Sequence, residues 1–157
     1  MKTNENKPAP VTLAELDAFT LAYIAAALWS SYDNADENGG EPLDANYSAE
    51  DIALETPAQI AADCARFQAE NAEDISSGCN RSSEEFTDTE RAGHDFWLTR
   101  NGHGAGFWDG DWQGNEVSRA VKCGPFTVDN AGDRLTAASK VFGQTDLYIG
   151  DDGKIYA

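Results

Sequence analysis

What this chain of 157 residues has least of is positive charge and the residue clusters that carry familiar chemistry. Eleven lysines and arginines stand against 28 acidic residues, a net charge of −17. The imbalance sits in one half. Residues 1–90 hold 19 acids and 4 bases, net −15, while residues 91–157 hold 9 acids and 7 bases, net −2. Such a half repels DNA, RNA and anionic lipid over a Debye length and attracts basic protein surfaces, which argues against direct nucleic-acid binding by it. Long apolar runs are also missing. The longest, Leu21 to Trp29, is too short to span a bilayer, and residues 1–10 are polar, with no apolar targeting core.

Cysteine is scarce as well: Cys64, Cys79 and Cys123 show no C-x-x-C spacing and an odd count, which fits a reduced compartment rather than a disulfide scaffold. No G-x-S-x-G elbow, P-loop or G-x-G-x-x-G is present. Asp109-Gly110-Asp111-Trp112-Gln113-Gly114 matches the first half of a calcium loop, but position 12 is Ala120 where a bidentate glutamate is required. The two histidines, His94 and His103, lie nine positions apart, too far along one strand at ~3.3 Å per residue to share an ion. The sequence therefore assigns no catalytic, cofactor-binding or metal-ligating residue and leaves enzyme activity unfavoured.

What is present reads as one domain over 1–157: a flexible lead (1–10), an acidic helical half (11–90) and a β-rich half with one helix (91–157). Thr12-Leu13-Ala14-Glu15 is a capping box with Val11 and Leu16 as a staple, and it predicts a largely covered helix to about Tyr32, with Phe19, Tyr23, Ile24, Leu28 and Trp29 among its apolar residues. Ser48 can cap a short turn at Asp51. A second helix is predicted over 57–75, with Ile60, Cys64, Phe67 and Ile75 inward and Asp63, Glu70, Glu73 and Asp74 outward. A third should run from Asp129 or Asn130 through Phe142, burying Leu135, Ala138, Val141 and Phe142, with Gly143 as its left-handed terminator.

Between them, residues 94–112 set Asn101-Gly102 between aromatic-rich arms, the pattern of a two-residue hairpin. In that register Phe96, Leu98, Ala105 and Phe107 share one face, and Trp97 and Trp108 lie on the other, with His94 opposite Asp109. Asp152-Gly153 predicts a second hairpin in which Ile149 faces Tyr156. Residues 116–122 and 126–128 read as extended segments. The fold class is then α+β, a small antiparallel sheet built from two β-hairpins and covered by about three helices.

Glu-Arg-Ala-Gly-His-Asp-Phe-Trp-Leu-Thr-Arg-Asn-Gly-His-Gly-Ala-Gly-Phe-Trp-Asp, followed by Leu-Thr-Ala-Ala-Ser-Lys-Val-Phe-Gly and Asp-Leu-Tyr-Ile-Gly-Asp-Asp-Gly-Lys-Ile-Tyr, resembles a family of small acidic proteins of bacteriophages and mobile elements over about residues 90–110 and 133–156. The resemblance carries no activity with it. It implies action in the cytoplasm of a bacterial host. With the acidic half, it leads to an anti-defence protein, an anti-CRISPR or anti-restriction inhibitor that mimics DNA and occupies a basic, nucleic-acid-facing surface of a host effector. The candidate face is Asp36, Glu37, Glu41, Asp44, Glu50, Asp51, Asp63, Glu70, Glu73 and Asp74. The plain alternative for these carboxylates is a solubilising surface. A small-ligand or nucleotide-binding module, or an enzyme, would instead use an aromatic face of His94, Trp97, Arg100, Trp108, Asp109 and Trp112.

Overall fold

The computed structural model describes residues 12–32, 41–53, 56–76, 78–79, 85–103, 105–109, 112 and 131–157. Asp36, Glu37, the extended segments expected within 113–128 and the polar lead lie outside them. The described chain is mostly helical, with α1 (Ala18–Ser30), α2 (Thr56–Ser76), α3 (Asp88–Arg100) and α4 (Ala131–Val141) around one core. Short 3₁₀ turns stand at Leu13–Glu15, Leu43–Ala45, Ala49–Asp51 and Phe107–Asp109. Its sheet consists of β1 (Tyr148–Ile149) and β2 (Ile155–Tyr156), so the expected sheet of two hairpins is overturned.

The reason lies in residues 87–103. Thr87 caps α3, its hydroxyl accepting the Glu90 amide at 3.3 Å and donating to Glu90 Oε1 at 3.0 Å. That box starts a helix that runs through Trp97 to Arg100. Asn101-Gly102 then ends it. Gly102 adopts φ 70°, its N–H bonds to Thr99 O at 3.2 Å, and His103 N–H reaches Leu98 O at 3.0 Å. These are the two bonds of a Schellman C-terminus, and like a type I′ turn it needs a glycine with positive φ. The dipeptide thus marks a reversal of direction without saying what precedes it. Ala105, expected beside Phe107 on a buried face, is exposed.

Helix α1 also starts differently. Thr12 N–H does meet Glu15 Oε2 at 3.0 Å, but only a 3₁₀ turn forms before Leu16 and Asp17 become extended. Asp17 is the true cap: Oδ1 accepts the Thr20 amide at 2.8 Å and hydroxyl at 2.6 Å, and Oδ2 accepts Gln68 Nε2 from α2 at 3.0 Å. Burial opposes ionisation, but the bonds from Thr20 and Gln68 outweigh it and hold this carboxyl below its ordinary value. A depressed folded pKa stabilises above the unfolded value and loses that effect as pH falls through the folded one. Asp17→Ala should therefore cost about 1 kcal/mol at neutral pH. In urea unfolding the gap between variant and parent should narrow toward pH 3, and a pH-independent gap would contradict the capping role.

The α1–α3 crossing is unusually close. A Cβ placed on Gly93 would collide with the Phe19 carbonyl, and Ala22, Ala26, Ala27 and Ala92 supply further small buried residues on the two helices. Helix propensity alone would make Gly93→Ala stabilising by nearly 1 kcal/mol. Here the expected sign is opposite, a loss of about 1–3 kcal/mol from forcing the backbones apart. Chemical denaturation that found a gain would show that the helices do not meet there.

Around this crossing lies an aromatic core. Phe67 of α2 stacks on Phe96 of α3 at 4.1 Å between centroids, Phe142 meets Phe96 edge-on at 5.0 Å, and Phe107 and Trp112 follow at 5.4 Å from each other. Helix α2 has the predicted inward stripe: Ile60, Cys64, Phe67 and Ile75 are all buried. It kinks at Asn71, whose side chain donates to Phe67 O at 2.8 Å. In α4, Leu135 is buried and Gly143 terminates with φ 75°, as expected, but Val141 is exposed and Ser139 takes the inner place, bonding Leu135 O at 2.8 Å. The inner row is 131, 135, 138/139 and 142, one helical step from Val141.

The C-terminal hairpin forms with a register shifted by one: Ile149 pairs with Ile155 and Tyr148 with Tyr156. Gly150 N–H bonds Lys154 O at 2.8 Å and Gly153 N–H bonds Gly150 O at 3.0 Å, closing a three-residue Asp151-Asp152-Gly153 loop with Gly153 at φ 76°. This loop keeps positive φ on glycine, where a two-residue type I′ turn would demand it of Asp152 too. The shift buries Ile155, which bridges to Ile52 while Ala53 N–H bonds its carbonyl at 2.8 Å.

Candidate functional site

The residues proposed as an aromatic face do not share one. Trp97 is buried, donating its indole N–H to Ser30 Oγ at 2.7 Å, and Trp112 is buried, donating to Asp95 Oδ2 at 2.7 Å. His94 is half-buried between the Trp29 and Phe86 rings, with Nδ1 3.7 Å from Asp95 Oδ1. Trp108 is half exposed, and Asp109 ends the turn Phe107–Asp109. The strand geometry used to separate His94 from His103 falls with the hairpin: His94 sits in α3 and His103 follows its C-terminal turn. Among the described residues no group of three or more metal-ligating side chains comes together.

Arg100, placed by the sequence on that face, is instead a buried joint, 6% exposed. Its Nη1 reaches Tyr23 Oη and Asp63 Oδ2, both at 3.1 Å, its Nε donates to Gly143 O at 2.8 Å and its Nη2 to Phe142 O at 3.0 Å. One guanidinium thereby ties α1, α2 and α3 to the carbonyl end of α4, where a cation is favoured by the helix dipole. Burial pushes the Tyr23 hydroxyl well above its ordinary value despite Arg100, and burial does the same to the Cys64 thiol, so neither is a nucleophile near neutral pH.

The acidic candidates divide into two sets. Asp63 holds Arg100, and Asp74 takes a bidentate grip on Arg134 of α4, with contacts of 2.7 and 3.0 Å. Glu70 pairs with Arg66 one turn away at 3.0 Å, and Asp51 accepts the Ser48 N–H at 2.8 Å as part of its turn. Glu41, Asp44, Glu50 and Glu73 are exposed. The sequence reads Asp63, Glu70, Glu73 and Asp74 as one outward row, whereas two of the four are tertiary ties.

The reading from sequence missed the ring pair Trp29 and Tyr32, 56% and 58% exposed. They border an open groove of about 390 Å³ between the end of α1, Pro42 and the turn after α3, where Leu98 and His103 line it. Backbone bonding builds this corner: Tyr32 bridges Pro42, and Leu43 N–H bonds Ser31 O at 2.8 Å. The signal was available. Leu21, Ala25 and Trp29 form one exposed row of α1, offset from the buried row of Phe19, Tyr23 and Ala26, while Tyr32 lies past the extended C-cap Ser31.

No helix among the described residues is long and apolar enough to cross a membrane. Compared with protein-family models, curated proteins and solved structures, the chain matches none.

Proposed function

We propose that this chain is a phage-type anti-defence protein that occupies a basic, nucleic-acid-facing surface of a bacterial restriction or CRISPR effector through its acidic face. The observation that carries the reading is where the cations go. Among the described residues, Arg100 is turned inward, Arg134 and Arg66 are held by Asp74 and Glu70, Lys140 and Lys154 stay exposed in the half of net −2, and Glu41, Asp44, Glu50 and Glu73 stay on the surface of the half carrying −15. Negative potential is therefore presented outward, where it steers a basic partner and competes with phosphates. Among the described residues the contact set narrows to Glu41, Asp44, Glu50 and Glu73.

Expressed in bacteria that restrict an incoming phage, the chain should restore plating. Glu41→Gln/Asp44→Asn/Glu50→Gln/Glu73→Gln should lose that protection while keeping its unfolding midpoint, since these carboxylates are exposed and the bond Glu41 accepts from Asn46 Nδ2 at 2.9 Å is a local one that a glutamine oxygen can still accept. Restoration by the four-fold variant equal to that of the parent would refute the acidic face as the working surface.

A further inference from the structure

An asparagine followed by glycine is the pair most prone to lose its side-chain amide, because no Cβ on the following residue hinders its backbone nitrogen from reaching the Asn Cγ. Two such pairs stand in this chain: Asn38-Gly39, outside the described residues, and Asn101-Gly102 at the end of α3. At Asn101 the Gly102 backbone nitrogen would give up its proton to solvent base and attack Cγ. A five-membered succinimide closes, and Nδ2 takes up a proton and leaves as ammonia. Water then opens the ring. Breaking the new bond from Gly102 N to Cγ gives aspartate, and breaking the original peptide bond gives isoaspartate, with the chain rerouted through the side chain.

Three features of the fold oppose the first step. The attacking Gly102 N–H is bonded to Thr99 O at 3.2 Å. The amide under attack is held at both ends, Nδ2 donating to Trp97 O at 3.0 Å and Oδ1 accepting Thr145 N–H at 2.8 Å. A ψ of 4° keeps the Gly102 nitrogen beside Asn101's own nitrogen, so ring closure requires a rotation about Cα–C that breaks the bonds ending α3. We propose that Asn101 is a modification site gated by the fold: it deamidates only when the joint between the end of α3 and residues 142–145 opens, and its products weaken that joint. Arg100 bonds the Phe142 and Gly143 carbonyls, so two neighbouring side chains hold one segment and release it together. Either product lacks the Nδ2 donor and adds a carboxylate at the helix end where negative charge is unfavourable.

The test incubates the folded full chain in mildly alkaline buffer beside a peptide of residues 97–106, with conversion read separately at each asparagine by peptide mass spectrometry. Asn101 in the chain should convert at least about a hundredfold more slowly than in the peptide, and at the peptide's rate in denaturing urea. Thr145→Pro deletes the N–H that Oδ1 accepts, and Arg100→Lys loosens the same segment should the proline variant fail to fold. Each should speed conversion about tenfold below its unfolding midpoint. Asp17→Ala lowers global stability from the start of α1 and should leave the rate at Asn101 within about twofold of the parent. Asn101→Asp, which stands in for the product, should unfold about 3–6 °C below the parent. Conversion in the folded chain at the peptide's rate would overturn the gate. Equal acceleration by Asp17→Ala and Arg100→Lys would assign the opening to global unfolding and overturn the joint as its origin. An unchanged midpoint for Asn101→Asp would overturn the weakening by the product.

Discussion

Arg100→Met should lower stability by about 3–5 kcal/mol, the usual cost of removing one partner from a buried, hydrogen-bonded charge pair. The side chain volume is roughly kept, so the loss comes from what is left behind: the Asp63 carboxylate, the Tyr23 hydroxyl, and the Phe142 and Gly143 carbonyls, all of which now bond the guanidinium. In thermal unfolding this amounts to a drop on the order of 10 °C for a chain of this size. Arg100→Lys should recover only part of it, because an ammonium cannot reach four acceptors on three helices with one planar fork. Asp63→Asn should cost less than Arg100→Met, since Asp63 is partly open to water and an amide oxygen can still accept from the guanidinium. A midpoint for Arg100→Met within a degree or two of the parent would show that the joint does not exist.

Phe96→Ala should cost a similar amount, about 3–5 kcal/mol. Phe96 is wholly buried and touches aromatic rings from every side: Phe67 stacked at 4.1 Å, Phe142 at 5.0 Å, Tyr23 at 5.4 Å and Phe19 at 6.1 Å. Those rings come from α1, α2 and the end of α4, so no single neighbour can move in to fill the space without dragging its helix. Phe96→Leu should lose much less. Urea unfolding of the two variants checks this, and equal losses of under about 1 kcal/mol would show a core that collapses freely.

Much of the helical half was legible. The stripe Ile60, Cys64, Phe67, Ile75 is at helical spacing in a segment with polar residues between, behind a Thr56-Pro57-Ala58-Gln59 start signal, so cap and periodicity together give the helix and its buried face. Gly143 was legible because a helix that must stop needs a left-handed residue, and glycine adopts one without a Cβ clash. Helix α3 was not read, for a physical reason. Asn101-Gly102 reverses the chain whether a strand or a helix precedes it. The deciding signal stood fourteen residues upstream, in Thr87-Asp88-Thr89-Glu90, with the rows Ala92, Phe96, Thr99 and Gly93, Trp97, Arg100 at helical spacing. Alternation over four or five residues cannot outweigh a cap and three turns of consistent rows.

The candidate site was legible in charge but not in geometry. Composition places the negative excess in residues 1–90, yet it does not reveal which carboxylates meet arginines from distant parts of the chain. Asp63 and Asp74 look no different in sequence from Glu73, and the two are separated from their partners by 37 and 60 residues. Trp29 counts in the sequence only as one apolar residue of a largely covered helix, because a helix with little polar face offers weak phase information; its exposed row differs from the buried one by a single step.

The competition between this chain and nucleic acid for one effector surface is the most direct test of the functional account. A fluorescent duplex bound to a purified defence effector that the chain inhibits in cells should be released as the protein is added, with release weakening as salt rises. The Glu41→Gln/Asp44→Asn/Glu50→Gln/Glu73→Gln variant should release it with a slower association and a flatter salt slope, losing about 1 kcal/mol or less per charge. Inhibition that leaves the duplex bound, or release by the four-fold variant with the parent's rate and salt slope, would contradict occupancy through the acidic face.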